Sequence, residues 1–197
     1  MSEHVLQHQY STQETGYWCA PGSTQIVLTV RGIDVPEQEL ADELGTDTDG
    51  TDWIGQVTAV LARRTGQPYV TVEIPNDPPS AAQVDRLWDD IVGSIDGGNG
   101  VVVNIVAPPG NQPPGYPSNQ TIYHYIAAVG YDDHTRAVYI ADPANFGGIE
   151  HYWLSVGMLA SLIAPKGYAA APTAGGHGDA EIWRDNLVQL LGPGGAR

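Results

Sequence analysis

Cysteine is nearly absent from this chain: Cys19 stands alone among 197 residues. That excludes an internal disulfide framework and any zinc or iron–sulfur centre built from several thiolates. Cations are scarce as well, with 8 Lys and Arg against 23 Asp and Glu, a formal charge of −15. A general nucleic-acid binder or a partner of anionic lipid needs the opposite field. No run approaches the roughly 18 apolar residues that span a bilayer. The opening MSEHVLQHQYSTQ lacks the basic stretch and apolar run of a secretory signal. No Gly-rich phosphate loop follows a strand pattern, and no internal repeat is visible. The expectation is a protein made in the cytoplasm, with no nucleic acid or membrane as partner and no metal or cofactor.

What is present fits a packed domain. Hydrophobic residues make up 42% and charged residues only 16%, so bulk disorder is excluded. The length suits one domain with a short appendage. Helical patterns run over Cys19 to Arg31, Pro36 to Leu44 and Trp53 to Arg64, closed by Gly32, Gly45 and Gly66. Tyr69 to Ile74 alternates as a strand. Ser80, with Gln83 three residues on, opens a helix to Ile95. Gly100 to Val106 reads as a buried strand, and Tyr123 to Asp142 as a hairpin turning at Asp132–Thr135. Between them Ala107 to Gln120 holds five prolines, a loop long enough to be functional or disordered. His151 to Leu154 gives a further strand, and a helix runs to Ile163. The composition then turns to Ala, Gly, Pro and Thr from Pro165 to Gly178, the pattern of a linker. A short helix, Ala180 to Leu191, follows. The domain is therefore expected over 1–165, with 166–197 leading toward a further domain in the natural protein.

Four residues carry chemistry. Cys19 lies where a loop becomes a helix, and free amides at a helix N-terminus favour a thiolate nucleophile. Gln13, six residues earlier, can offer its side-chain NH2 to an oxyanion beside the Cys19 N–H. His124 opens an apolar strand and can act as a general base. Asp142 ends the partner strand, where it can hold the imidazole by its second nitrogen. Asn145 is an alternative holder of that ring, and His134 and His151 are weaker bases. His4 and His8, four apart, read as a frayed polar terminus rather than metal ligands. The run Asp47 to Asp52 lacks the full calcium-loop pattern and reads as a solvated turn with a helix cap at Asp52. Tyr17, Trp18 and Tyr123, with Tyr116 and Tyr125, cluster near the proposed site in sequence, and the first three are candidates for contacting substrate.

The segments QETGYWCAPG, YHYIAAVGYDD and VYIADPAN together resemble the papain-like cysteine peptidases of the bacteriocin-processing type, over roughly residues 5–165. The resemblance implies an α+β papain-like fold, with a Cys-bearing helix packed on an antiparallel sheet that carries His and Asp. It implies Cys19 as nucleophile, His124 as base, Asp142 as its orienter and Gln13 as oxyanion donor. The chain departs from the family where Ala20 and Pro21 follow Cys19, and in its longer Pro-rich loop. A free-standing version followed by a linker is similar to the N-terminal peptidase module of bacteriophage endolysins, especially of actinobacterial phages. That implies cleavage of peptidoglycan peptides at the cell wall after release from the host cytoplasm. It also implies an amidase, glycosidase or wall-binding domain in the same polypeptide. A processing protease, a deamidase and an inactive binding module are the competing readings.

Overall fold

The computed structural model describes residues 3–172. Seven antiparallel strands form one sheet: β1 Glu3–Val5, β2 Val70–Glu73, β3 Val101–Ala107, β4 Ile122–Asp132, β5 Ala137–Ala141, β6 His151–Ser155 and β7 Gly167–Ala170. The spatial order is β2-β7-β3-β4-β5-β6, and β1 also pairs with β4. Helices α1 Cys19–Thr29, α2 Glu37–Leu44 and α3 Ile54–Thr65 cover one face; α4 Ala81–Asp96 and α5 Val156–Ile163 cover the other. Each face has its own apolar cluster. Ile26, Leu28, Leu40, Val57 and Leu61 meet Ala127, Val129 and Ala141 on the first; Leu87, Ile91, Ile95 and Leu159 meet Ile126, Ala128 and Ile140 on the second. The α+β reading with the Cys helix packed on an antiparallel sheet holds. Among the described residues no helix is long and apolar enough to cross a membrane.

One irregularity sets the phase of the central hairpin. Asp132, Tyr131 and Gly130 pair with Ala137, Val138 and Tyr139, but beyond Val129 the register shifts by one, to Ala128 opposite Ile140. The extra residue inverts the alternation along β4, so Tyr131 and Ala128 both face the α4–α5 cluster. His124 consequently shares a face with Ile140 and Asp142. Without the bulge it would point through the opposite face.

Three sequence expectations need correction. The segment that holds His4 is not frayed: Glu3–Val5 pairs with Gly130–Asp132, and the Leu6 N–H continues the ladder to the Val129 carbonyl at 2.9 Å. The linker does not begin at Pro165, because Gly167–Ala170 is a strand lying between β2 and β3. Its small residues are a packing requirement, since a Cβ on Gly167 would stand 2.5 Å from the Val72 carbonyl oxygen. The remainder of the expected linker, from Thr173, and the helix Ala180 to Leu191 lie outside the described residues. Finally, α3 is capped at Trp53 rather than Asp52: the Gln56 side chain accepts the Trp53 N–H at 2.9 Å.

The Pro-rich loop is tied down by its polar residues. Gln112 donates to the carbonyls of Ala107, Pro117 and Gln120 at 3.3, 2.9 and 2.9 Å, closing the loop on itself. Gly115, at φ +82, permits Tyr116 to turn inward against Phe146, with ring centroids 4.6 Å apart. A Cβ there would sit 2.2 Å from the Phe146 carbonyl oxygen. Gly115→Ala should therefore destabilise the fold by about 1–3 kcal/mol, read as a lowered urea midpoint, and should loosen Tyr116.

Candidate active site

Cys19 is the first residue of α1, preceded by Trp18, which makes no side-chain cap. The first intrahelical bond runs from the Gly22 N–H to the Trp18 carbonyl at 2.9 Å. Pro21 has no N–H, so the amides of Cys19 and Ala20 are the donors at this helix start. The Cys19 thiol is partly buried, and the helix places its positive end at this residue.

His124 enters from the third position of β4 and is 4% exposed. Its Nε2 lies 2.8 Å from Asp142 Oδ1. That leaves Nδ1 for the side of the ring away from Asp142, and Cys19 and His124 line the same cavity. Burial alone would push the imidazole's pKa down. The hydrogen bonds and charges of Asp142 and Cys19 outweigh that effect and raise it to about 10. Burial likewise works against the Asp142 carboxylate, but His124, Tyr116 and Tyr152 hold its pKa below the ordinary value.

Asp142 is 1% exposed and fully engaged. Oδ1 accepts from His124 and from the Ala144 N–H at 3.0 Å; Oδ2 accepts from the hydroxyls of Tyr116 and Tyr152, each at 2.7 Å. Both tyrosines therefore serve Asp142 from the buried side rather than lining a cleft. The sequence reading missed Tyr152 altogether and placed Tyr116 among possible cleft aromatics. Asn145, the alternative ring holder, instead donates its backbone N–H to the Asp142 carbonyl at 3.2 Å, and its side-chain oxygen has no partner.

Gln13 is strapped to this hairpin through its backbone, its N–H reaching the Pro143 carbonyl at 2.9 Å. One hydrogen of its side-chain amide goes to the Thr15 carbonyl at 2.7 Å. The loop thus sets Gln13 beside the turn that follows Asp142, and Gln13 is not among the residues lining the cavity over Cys19 and His124. A cavity of about 260 Å³ opens over Cys19 and His124. Asp49, Gly50, Thr51 and Asp52 border it on one side, and Asn104, Tyr123, Tyr125 and Lys166 complete it. Of the three aromatics expected to contact substrate, Tyr123 lines the cavity. Tyr17 and Trp18 lie against each other at 6.3 Å and are not among its lining residues. Asp49, Asp52, Asn104 and Lys166 escaped the sequence reading, because a polar turn, a strand interior and a presumed linker give no signal of a shared cleft.

The other histidines go elsewhere. His4 pairs with Asp96 at 3.0 Å, whereas His8 meets His151 at 3.0 Å, so His4 and His8 diverge. Among the described residues no three His, Cys, Asp or Glu side chains gather as a metal site.

The pair His124–Asp142 has a defined pH window. A raised His pKa contributes stability below about 6.5 that is lost as pH climbs through about 10. The lowered Asp142 pKa contributes above the ordinary carboxylate range and is lost on acidification through its folded value. In an NMR titration the His124 ring should stay protonated past pH 8. In Asp142→Asn it should fall back toward neutrality, with turnover reduced by about 10²–10⁴, the span of a lost general acid–base. A wild-type ring titrating near 6.5 would contradict the charged pair.

Comparison with known proteins bears on the family and the fold. The Peptidase_C39 like family matches residues 5–161. Among solved structures, a C39-like protein from Bacillus anthracis superposes with a TM-score of 0.57 at 14% identity, covering 86% of this chain and 98% of that one. The peptidase domain of Streptococcus ComA, a bifunctional transporter of a quorum-sensing pathway, gives 0.56 at 17% identity, covering 85% and 100%. A double-glycine motif protease from an AMS/PCAT transporter, in complex with its leader peptide, gives 0.53 at 16%, covering 88% and 100%. These likenesses show the fold. An uncharacterized protein of Methanothermobacter marburgensis is 36% identical over 62 residues, 32% of this chain and 44% of that protein. With its family match running from before Gln13 to beyond Asp142, the chain belongs to the Peptidase_C39 like family of cysteine peptidases.

Proposed function

We propose that this chain cuts peptide bonds in bacterial peptidoglycan, within the stem peptide or cross-bridge, as the peptidase of a phage endolysin that acts at the wall after release from the host cytoplasm. The observation that carries the reading is the charge around the cleft. Asp49 and Asp52 border the mouth on one side, with Lys166 also at its edge. A short peptide bearing both a free ammonium and a free carboxylate matches that arrangement, and diamino-acid stem peptides carry both. A site specialised for a double-glycine segment has no side chain to meet such charges. The net charge of −15 does not favour adhesion to an anionic wall. Wall binding on this reading falls to another domain of the natural polypeptide, beside any amidase or glycosidase.

The Cys19 sulfur attacks the peptide carbonyl, and the negative oxygen is held by the Cys19 N–H and the free hydrogen of the Gln13 amide. The His124 imidazolium gives its proton to the leaving amine. The resulting thioester is hydrolysed by water, with His124 as base. Asp142 keeps the ring in place throughout.

Purified peptidoglycan from an actinobacterium, digested and analysed by mass spectrometry, tests the reading. New amino termini in the stem or cross-bridge are expected. Cys19→Ala should release nothing while keeping its circular dichroism spectrum, and Gln13→Ala should lose about 10²–10³ in turnover. Wall left intact while a double-glycine peptide is cleaved would overturn the wall assignment. Wall digestion by Cys19→Ala would overturn the nucleophile.

A further inference from the structure

Glu37 begins α2, where a carboxylate is normally exposed and welcomed by the helix dipole, yet it is only 1% exposed. Its Oε2 accepts the Glu14 N–H at 3.1 Å, but its Oε1 is buried with no hydrogen-bond partner. Gln13 Oε1 is also buried without a partner. Both residues border Gly22 in the first turn of α1. A Cβ built there would lie 3.5 Å from Glu37 Oε1, 3.3 Å from Gln13 Cβ and 3.0 Å from Pro143 Cβ. The start of α2, the Gln13 loop, the Cys19 helix and the residue after Asp142 thus converge on one spot.

A buried acceptor with no donor keeps the cost of its lost hydration, and here there are two. A single proton on Glu37 removes both deficits, because a neutral carboxyl is a donor as well as an acceptor. We propose that Glu37 is a positioning residue: as a neutral acid it donates from Oε1 to Gln13 Oε1, and so fixes the Gln13 amide with its free N–H toward the oxyanion. The Thr15 carbonyl holds the nitrogen end of that amide at 2.7 Å, so Glu37 pins the oxygen end. Losing the proton sets a carboxylate against the amide oxygen and releases the amide.

The proton belongs there. Burial, with the Glu14 charge adding to it, pushes the Glu37 carboxyl up to about 7, although the Glu14 N–H works the other way. Glu14 is the neighbouring charge that bears on it. From α3, Arg63 and Arg64 are engaged by Glu43 and Glu39. On α1 the titratable groups are Cys19 at its start and Arg31 just past its end, and Asp142 beyond Pro143 is paired with His124.

This inference rests on Gln13 being the oxyanion donor, so the test includes a readout that needs no substrate. The side-chain amide signals of Gln13, assigned by their loss in Gln13→Ala, should titrate near pH 7 in the wild-type protein and stay flat in Glu37→Gln, whose amide donates at every pH. On peptidoglycan, wild-type kcat should fall about tenfold from pH 6 to pH 8 with KM unchanged, whereas Glu37→Gln should hold its rate. Glu37→Leu should lose about 10²–10³ in kcat at pH 6, the loss expected for Gln13 itself. Gln13 signals that ignore pH, or a Glu37→Gln enzyme with the wild-type pH fall, would overturn the proposal. Gln13 signals that titrate in an enzyme indifferent to Gln13→Ala would leave the Glu37 link standing and overturn the oxyanion role instead.

Discussion

A carboxylate cut off from water survives only where its lone pairs are filled, and Asp142 is filled from four sides. Much of the molecule supports that one group. The Pro-rich loop exists, in structural terms, to deliver the Tyr116 hydroxyl; β6 delivers the Tyr152 hydroxyl; the turn after β5 delivers the Ala144 amide; β4 delivers the imidazole. Tyr10, from the segment after β1, closes the far side by donating to the Asp142 backbone carbonyl at 2.9 Å. With its charge secured in this way, Asp142 can hold His124 protonated in a place where burial alone would strip the proton away.

The sheet makes that meeting possible through an irregularity rather than through its regular part. Were the register of Gly130 opposite Tyr139 continued without a shift, His124 and Asp142 would fall on opposite faces. The extra residue at Val129 changes the phase between them. β1 covers the same stretch of β4 from the other edge, Val5 lying opposite Gly130. A Cβ on Gly130 would come 2.7 Å from the His4 carbonyl oxygen, so the smallest residue sits where a third strand has to approach a bulged one.

The sequence was most readable where local chemistry and final fold agree. The Ser80–Gln83 capping box forms as its residues dictate, the glycine stops fall at the ends of α2 and α3, and the hairpin alternation marks β4 and β5. The resemblance to a family pattern pointed to Cys19 and His124, which line one cavity, and to Asp142, which bonds the imidazole. What escaped was set by distant contacts. β7, buried between two strands, is Gly and Ala apart from the buried Tyr168, and such letters also describe a linker. β1 is too short and polar for its alternation to register. Glu37 looks like any acid in a first helical turn until its burial is known. Asp49 and Asp52 do lie in an exposed turn, as their composition implies; only the path of the chain puts that turn beside Cys19.

The scarcity of cations noted at the start has a counterpart inside the molecule. Arg63, Arg64 and Arg136 pair with Glu39, Glu43 and Asp85 toward the surface, where such bonds contribute little. The two carboxyls that are fully buried, among the described residues, are Asp142 and Glu37, and neither is paired with Lys or Arg. Asp142 is compensated by a titratable imidazole, two hydroxyls and an amide; Glu37 has one backbone amide and, near neutrality, its own proton. A permanent cation in either position would hold the geometry at every pH. Compensation by groups that gain and lose protons ties the geometry to pH instead. The acidic composition therefore bears on the chemistry as well as the surface, because it leaves the reactive centre to be held together by protons.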